Sequence, residues 1–203
     1  MVRQAVALLE DLKVRRCLWV GTSMGGLIGM GAALGPFGRR IGGMVLNDIA
    51  PEIPSGAAGY ILEYLSAGSS FDTLADAERS FRESYAQFGP LSNREWRDLT
   101  ARSVARRADG KWTAMHDPRV GAALSDPPPD PEPAWRAFAQ IPCPLLVLRG
   151  ERSDILTPEL AERMRREHPR CRVKTVEGCG HAPFLNTGQQ IRAVSRFLRR
   201  CER

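Results

Sequence analysis

Val20-Gly21-Thr22-Ser23-Met24-Gly25-Gly26 is the stretch on which the fold turns. The apolar run Cys17 to Val20 enters it as a short buried strand, and Leu27 to Leu34 leaves it as a small-residue helix ending near Gly35-Pro36. Gly-x-Ser-x-Gly between a strand and a helix places the serine on a sharp, strained turn above the sheet edge. The flanking glycines avoid clashes with neighbouring backbone. The following helix adds positive potential and free N–H groups beneath the hydroxyl. A glycine-rich turn with an incidental serine would satisfy the motif alone. The strand before it and the helix after it favour Ser23 as a nucleophile.

On either side of this turn, Val2 to Leu12 carries apolar residues at helical spacing, and Ile41 to Asn47 is a second apolar strand closed by Asp48 and Pro51. Pro144 to Leu148 and Arg172 to Val176 read as further strands. Thr157 to His168 is an amphipathic helix with Thr157 as N-cap and Pro158 at its first position, and Asn186 to Arg199 is the last helix. Single strands separated by helices predict an α/β fold with a mostly parallel sheet. The texture changes from residue 54 to residue 133. Tyr60, Tyr64, Phe71, Phe81, Tyr85, Phe88 and Trp96 follow helical spacing with no convincing strand, and the proline-rich SDPPPDPEP at 125–133 reads as an extended linker. The expected organisation is a core segment of residues 1–53 carrying the serine turn, a helical cap insertion of residues 54–133 and a second core segment of residues 134–203.

With 203 residues, 43% apolar and 26% charged, the chain is long enough for a real core and excludes global disorder, collagen-like repeats and a disulfide-rich miniprotein. No run of about 18 apolar residues occurs, so no membrane partner is expected. The net charge of +6 raises nucleic acid as a partner. The basic residues are scattered among acids, however, and no helix-turn-helix, zinc-finger or aromatic RNA-binding motif accompanies them, so a solvated, salt-bridged surface is expected instead. Cys17, Cys143, Cys171, Cys179 and Cys201 form no CxxC pair and are odd in number, which suits free thiols in a reducing cytosol. Cys179 and His181 lack a second ligand pair, so no metal is expected. Met1 to Leu12 lacks an apolar signal core. A cytoplasmic location follows as the expectation.

A serine needs a base. His116 lies in the insert, and His168 closes a charged helix and reads as solvated. His181, in Gly178-Cys179-Gly180-His181-Ala182-Pro183-Phe184, follows the last strand at the carboxyl edge of the sheet, where catalytic groups gather. The base in turn needs an acid. Asp154, in Leu148-Arg149-Gly150-Glu151-Arg152-Ser153-Asp154, is the first choice. Asp48, after the strand that follows the serine helix, is the competitor and Glu151 a third. The backbone N–H of Met24 is the oxyanion donor.

Taken with Leu46-Asn47-Asp48-Ile49-Ala50-Pro51-Glu52, Leu148-Arg149-Gly150 through Asp154, and Gly180-His181-Ala182-Pro183, the serine turn resembles the α/β-hydrolase superfamily with an inserted helical cap. It is similar to the bacterial branch of enol-lactonases, meta-cleavage C–C hydrolases and esterases. The resemblance covers most of the chain outside the insert. It implies Ser23 as nucleophile, Asp154 as acid and His181 as base, in the superfamily's chain order. Members carry strands, and a His-Gly-type oxyanion loop, ahead of the helix that opens this chain. The resemblance thus implies an N-terminally truncated sheet whose edge strand, Cys17 to Val20, would pair with a second copy or a complementing chain.

The expected function is hydrolysis of a small carboxylic ester, lactone or thioester with an apolar portion, through an acyl-enzyme and without a cofactor. The alternatives are an inactive, partner-dependent fragment and a C–C bond hydrolase. Trp96, Trp112 and Trp135 are the aromatic residues to watch for an acyl pocket, with cap packing as their default role. Arg149 and Arg152 are expected in solvated salt bridges rather than on a substrate carboxylate.

Overall fold

The computed structural model describes residues 1–54, 56–57, 70–115 and 130–202. The chain divides into two compact units, one of residues 1–53 with 130–203 and one of residues 54–129. His116, Tyr60, Tyr64 and the linker residues 125–129 lie outside the described residues.

The first unit opens with helix α1 (Val2–Asp11), strand β1 (Cys17–Thr22), helix α2 (Met24–Leu34), a 3-10 turn (Pro36–Arg40) and strand β2 (Ile41–Asn47). The second unit, inserted after β2, contributes β3 (Ser70–Phe71), α3 (Leu74–Ser84), α4 (Asn93–Ser103), β4 (Val104–Arg106) and β5 (Trp112–Ala114). The chain then returns to the first unit with α5 (Glu132–Phe138), β6 (Leu145–Gly150), α6 (Pro158–Glu167), β7 (Cys171–Val176) and α7 (Gly188–Cys201).

In the first unit the strands form a four-stranded sheet in the order β1-β2-β6-β7, and every neighbouring pair is parallel. The register brings Thr22 opposite Asn47 and Asn47 opposite Leu148, so these strand ends share one carboxyl edge. The central strands are apolar up to their carboxyl ends, where Asn47 and Arg149 stand, because both faces are covered. Met44, Val45, Leu46, Leu145, Val147 and Leu148 are fully buried. One face of the sheet packs Val45, Leu146, Leu148 and Val176 against Leu185, Val194, Phe197 and Leu198, the apolar stripe of α7 and its approach. Thr157 caps α6 by accepting from the Leu160 N–H, with Pro158 at the first turn, as the sequence predicts.

Three expectations need correction. The proline-rich stretch is not extended to residue 133, because α5 starts at Glu132, where a proline in the first turn loses no helical hydrogen bond. His168 is not solvated. It is 1% exposed, with Nε2 bonded to the Ile141 carbonyl and Nδ1 accepting from the Arg170 N–H. The second unit is not purely helical. It carries a three-stranded antiparallel sheet in the order β3-β5-β4. Asp109-Gly110 makes the turn between β4 and β5, with Gly110 at φ +85 and the Asp109 carboxylate accepting from the Lys111 N–H. Asp-Gly is a strong hairpin signal, but the strands it joins are only three residues long, too short to show an alternating pattern. Helices α3 and α4 begin in capping boxes, Thr73 with Asp76 and Ser92 with Glu95. Phe71 meets Phe81 edge-on, and Trp96 is buried within the same unit.

Candidate active site

Ser23 sits between β1 and α2 at φ 50, ψ −119, a conformation that side-chain-bearing residues rarely adopt. The strain is held from both sides. Its N–H donates to the Asn47 carbonyl at 3.0 Å, and its own carbonyl accepts from the Gly26 N–H at 2.8 Å. A Cβ on Gly21 would lie 2.4 Å from the Gly25 carbonyl, and one on Gly26 would lie 2.5 Å from the Ile49 side chain, so both positions require glycine. Gly25 has open space instead. The steric demand therefore falls on the glycines before and after the motif's last one. Met24 is the first residue of α2, where a helical N–H has no carbonyl of its own helix to bond, and its side chain is partly exposed.

His181, on the loop after β7, brings Nε2 to 2.9 Å from Ser23 Oγ, and its side chain is 19% exposed. Its Nδ1 is 2.8 Å from Asp48 Oδ2. A carboxylate only accepts, so Nδ1 carries the proton and Nε2 is left to accept from the serine hydroxyl. Asp48 is fully buried at the end of β2 and is held by three donors. The Gly150 N–H reaches Oδ1 at 2.7 Å, while the Ser153 hydroxyl at 2.6 Å and His181 share Oδ2.

The carboxylate bonded to His181 is thus that of Asp48 and not that of Asp154. The Ser153 N–H bonds the Gly150 carbonyl, and this tight turn points Ser153 inward and Asp154 into solvent. Glu151 is also exposed, and its carboxylate accepts from the Gly178 N–H. Sequence reasoning misses Ser153. The available signal is its place inside the turn after β6, one residue from Asp154.

The two loops that meet here are laced together. The Glu151 N–H bonds the Val176 carbonyl, the Arg152 N–H bonds the Cys179 carbonyl, and the Arg152 guanidinium bonds the Gly178 carbonyl. A Cβ on Gly150 would fall 2.3 Å from the Gly180 carbonyl, so the histidine loop can approach only a glycine there. Asn47 Nδ2 ties Thr22 Oγ1 to the Pro183 carbonyl. Arg149 is buried and donates to the Glu151 carbonyl. Neither it nor Arg152 makes the expected salt bridge among the described residues. Trp135 is wholly buried within the first unit, with its indole N–H on the Glu52 carboxylate and the Arg163 guanidinium 4.2 Å above its ring. Trp96 is buried and Trp112 half-buried in the second unit.

All five cysteines are free. Burial pushes the Cys143 thiol up to about 11 and the Cys171 thiol up to about 12, and raises Cys17, Cys179 and Cys201 as well. The thiols therefore stay protonated near neutrality. Among the described residues no cluster of His, Cys, Asp and Glu could hold a metal ion, and no helix is long and apolar enough to cross a membrane.

A model of the alpha/beta hydrolase family matches residues 2–194. The chain belongs to the alpha/beta hydrolase family. Within that family it is 32% identical over 205 residues to a 3-hydroxybutyrate-oligomer hydrolase of Cupriavidus necator, across 97% of this chain and 70% of that one. An alpha/beta hydrolase of Novosphingobium aromaticivorans superposes with a TM-score of 0.80 at 33% identity, covering 98% of this chain and 70% of that chain. An esterase of Mycobacterium tuberculosis superposes with a TM-score of 0.70 at 22% identity, over 98% and 64% of the two chains, and bears on the fold alone. As an alpha/beta hydrolase, this chain keeps its serine turn, its buried aspartate and its loop histidine at the carboxyl edge of a single sheet.

Proposed function

We propose that the protein is a serine hydrolase of small carboxylic esters, with Ser23 as nucleophile, His181 as base and Asp48 as the acid that orients it. The observation that carries this reading is the hydrogen-bonded chain from Ser23 Oγ through His181 to Asp48 Oδ2. His181 Nε2 takes the hydroxyl proton as Ser23 Oγ attacks the ester carbonyl, and the Met24 N–H faces the developing oxyanion. The tetrahedral species collapses, expelling the alcohol, which receives the proton from His181. Water, activated by the same nitrogen, then cleaves the acyl-serine and releases the acid. Asp48 remains ionised throughout and stabilises the imidazolium. The reaction draws on no cofactor.

The substrate class we favour is a short linear ester of a hydroxy acid, supported by the relationship to the 3-hydroxybutyrate-oligomer hydrolase. The test is labelling of the purified chain with a fluorophosphonate, followed by hydrolysis of p-nitrophenyl butyrate and of the linear 3-hydroxybutyrate dimer. Labelling and turnover that both vanish in Ser23→Ala are expected. Equal labelling of Ser23→Ala, or a folded wild-type chain that hydrolyses neither ester, would overturn the reading.

A further inference from the structure

Ser153 is 6% exposed, and the proposed reaction steps do not use it. Its bonding leaves it no freedom. Ser153 Oγ accepts from the Ile155 N–H at 3.2 Å and from the Leu156 N–H at 3.0 Å, which occupies both lone pairs of the hydroxyl. The single remaining proton therefore goes to Asp48 Oδ2, 2.6 Å away. That oxygen is the one that also receives the His181 Nδ1–H. The opposite oxygen is fixed by the Gly150 N–H from the same turn. The carboxylate is thus gripped by residues 150 and 153 of one loop and presented edge-on to the histidine of another.

We infer that Ser153 is a positioning residue that sets the orientation of Asp48 and the share of its charge offered to His181. The inference rests on the proposed role of the Ser23–His181–Asp48 chain. A hydroxyl proton on Oδ2 draws off some of the charge that would otherwise face the imidazole. Removing it offers that charge in full to His181 and frees the carboxylate to rotate. The other ionisable groups on the segments that carry the pair are Glu52 after Asp48, Arg149 at the end of β6 with Glu151, Arg152 and exposed Asp154 in the turn after it, and exposed Glu177 with Cys179 ahead of His181. Glu151 and Arg152 are each bonded to Gly178, and burial keeps Cys179 protonated. Helix α2 brings no charged side chain.

The test is an NMR titration of the His181 imidazole in the whole chain, which reads the pair whether or not the chain turns over substrate. In Ser153→Ala the midpoint should rise by about one pH unit, and kcat should fall about tenfold with KM unchanged, the scale of one lost hydrogen bond to a charged group. Ser153→Thr, which keeps the hydroxyl, should titrate as wild type. In an Asp48→Asn background, Ser153→Ala should give no further shift. Should Ser153→Ala fail to fold, Ser153→Cys, a weak donor of similar size, should move the midpoint in the same direction. An unchanged midpoint, or an equal shift in the Asp48→Asn background, would overturn the assignment. A chain that shows the expected titration yet never labels at Ser23 would sink the hydrolase reading and leave the Ser153 inference standing.

Discussion

Asp48 Oδ2 lies 2.8 Å from His181 Nδ1, although the two residues are 133 positions apart and belong to the ends of non-adjacent strands, β2 and β7. Strand β6 lies between them. Its last residue lends the backbone N–H of Gly150, and the turn after it lends the hydroxyl of Ser153 rather than a carboxylate.

This arrangement separates the two candidate acids. Asp48→Asn should lower kcat on an activated ester by about 10⁴-fold, because an amide at this position no longer holds the tautomer that accepts from serine. Asp154, exposed and without a bonded partner among the described residues, should tolerate Asn with a change of less than about twofold. Steady-state kinetics on the two variants decides it.

The glycines of the serine turn should differ as sharply. Gly21→Ala drives a Cβ to 2.4 Å from the Gly25 backbone and should cost about 1–3 kcal/mol or abolish folding. Gly25→Ala meets open space within a helix and should be neutral or slightly stabilising in urea unfolding.

Alkaline pH should destabilise the fold through its buried thiols. The unfolded chain ionises Cys near pH 9, whereas folded Cys143 and Cys171 hold their protons to about 11 and about 12. Between those values the folded state binds more protons than the unfolded one, so stability falls as pH rises, by up to about 3 kcal/mol for Cys143 and about 4 kcal/mol for Cys171. Below pH 9 both states are protonated and the effect is absent. Urea midpoints measured from about pH 8 to about pH 11 should decline, and Cys143→Ala should flatten the decline. Near neutral pH, iodoacetamide should leave ester hydrolysis intact.

Trp135→Ala should cost about 3–5 kcal/mol, because it empties a fully buried site between Phe138 and Arg163. Trp135→Phe should cost less, about 2–3 kcal/mol, since it loses the indole N–H bond to Glu52 and the volume of the five-membered ring but keeps an aromatic ring in the site. Thermal or urea unfolding of the two variants measures both.

The parallel sheet was legible because three of its strands are built on apolar runs set off by Gly, Pro, Asp or Asn, and the edge strand β7 alternates apolar and polar residues. The serine and the histidine were legible because each lies in a glycine-containing segment past the carboxyl end of a strand. Which carboxylate bonds the histidine was not, for a geometric reason. Asp48 and Asp154 both follow strands ending at the same edge, and the choice depends on which way a tight turn points its residues. The turn at Gly150 sends residue 153 inward and residue 154 outward, a difference of one position that no periodicity records. The burial of His168 was hidden for a related reason. Its ring is satisfied by the Ile141 carbonyl and the Arg170 N–H, one of them backbone 27 residues away. The small antiparallel sheet left no sequence pattern because its strands are two or three residues long.

Asn47 and Asp48 together serve three loops. The carbonyl of Asn47 holds the serine turn, its side chain holds Thr22 and Pro183, and the next side chain holds the histidine and the turn after β6. Chain length at this point is therefore rigidly rationed. One residue inserted between Leu46 and Ile49 would throw Ser23, His181 and Asp48 out of register together, whereas the same insertion in the Asp109-Gly110 hairpin would lengthen one exposed turn. Descendants of this sequence that keep working have freedom to grow at the hairpin and almost none at the end of β2.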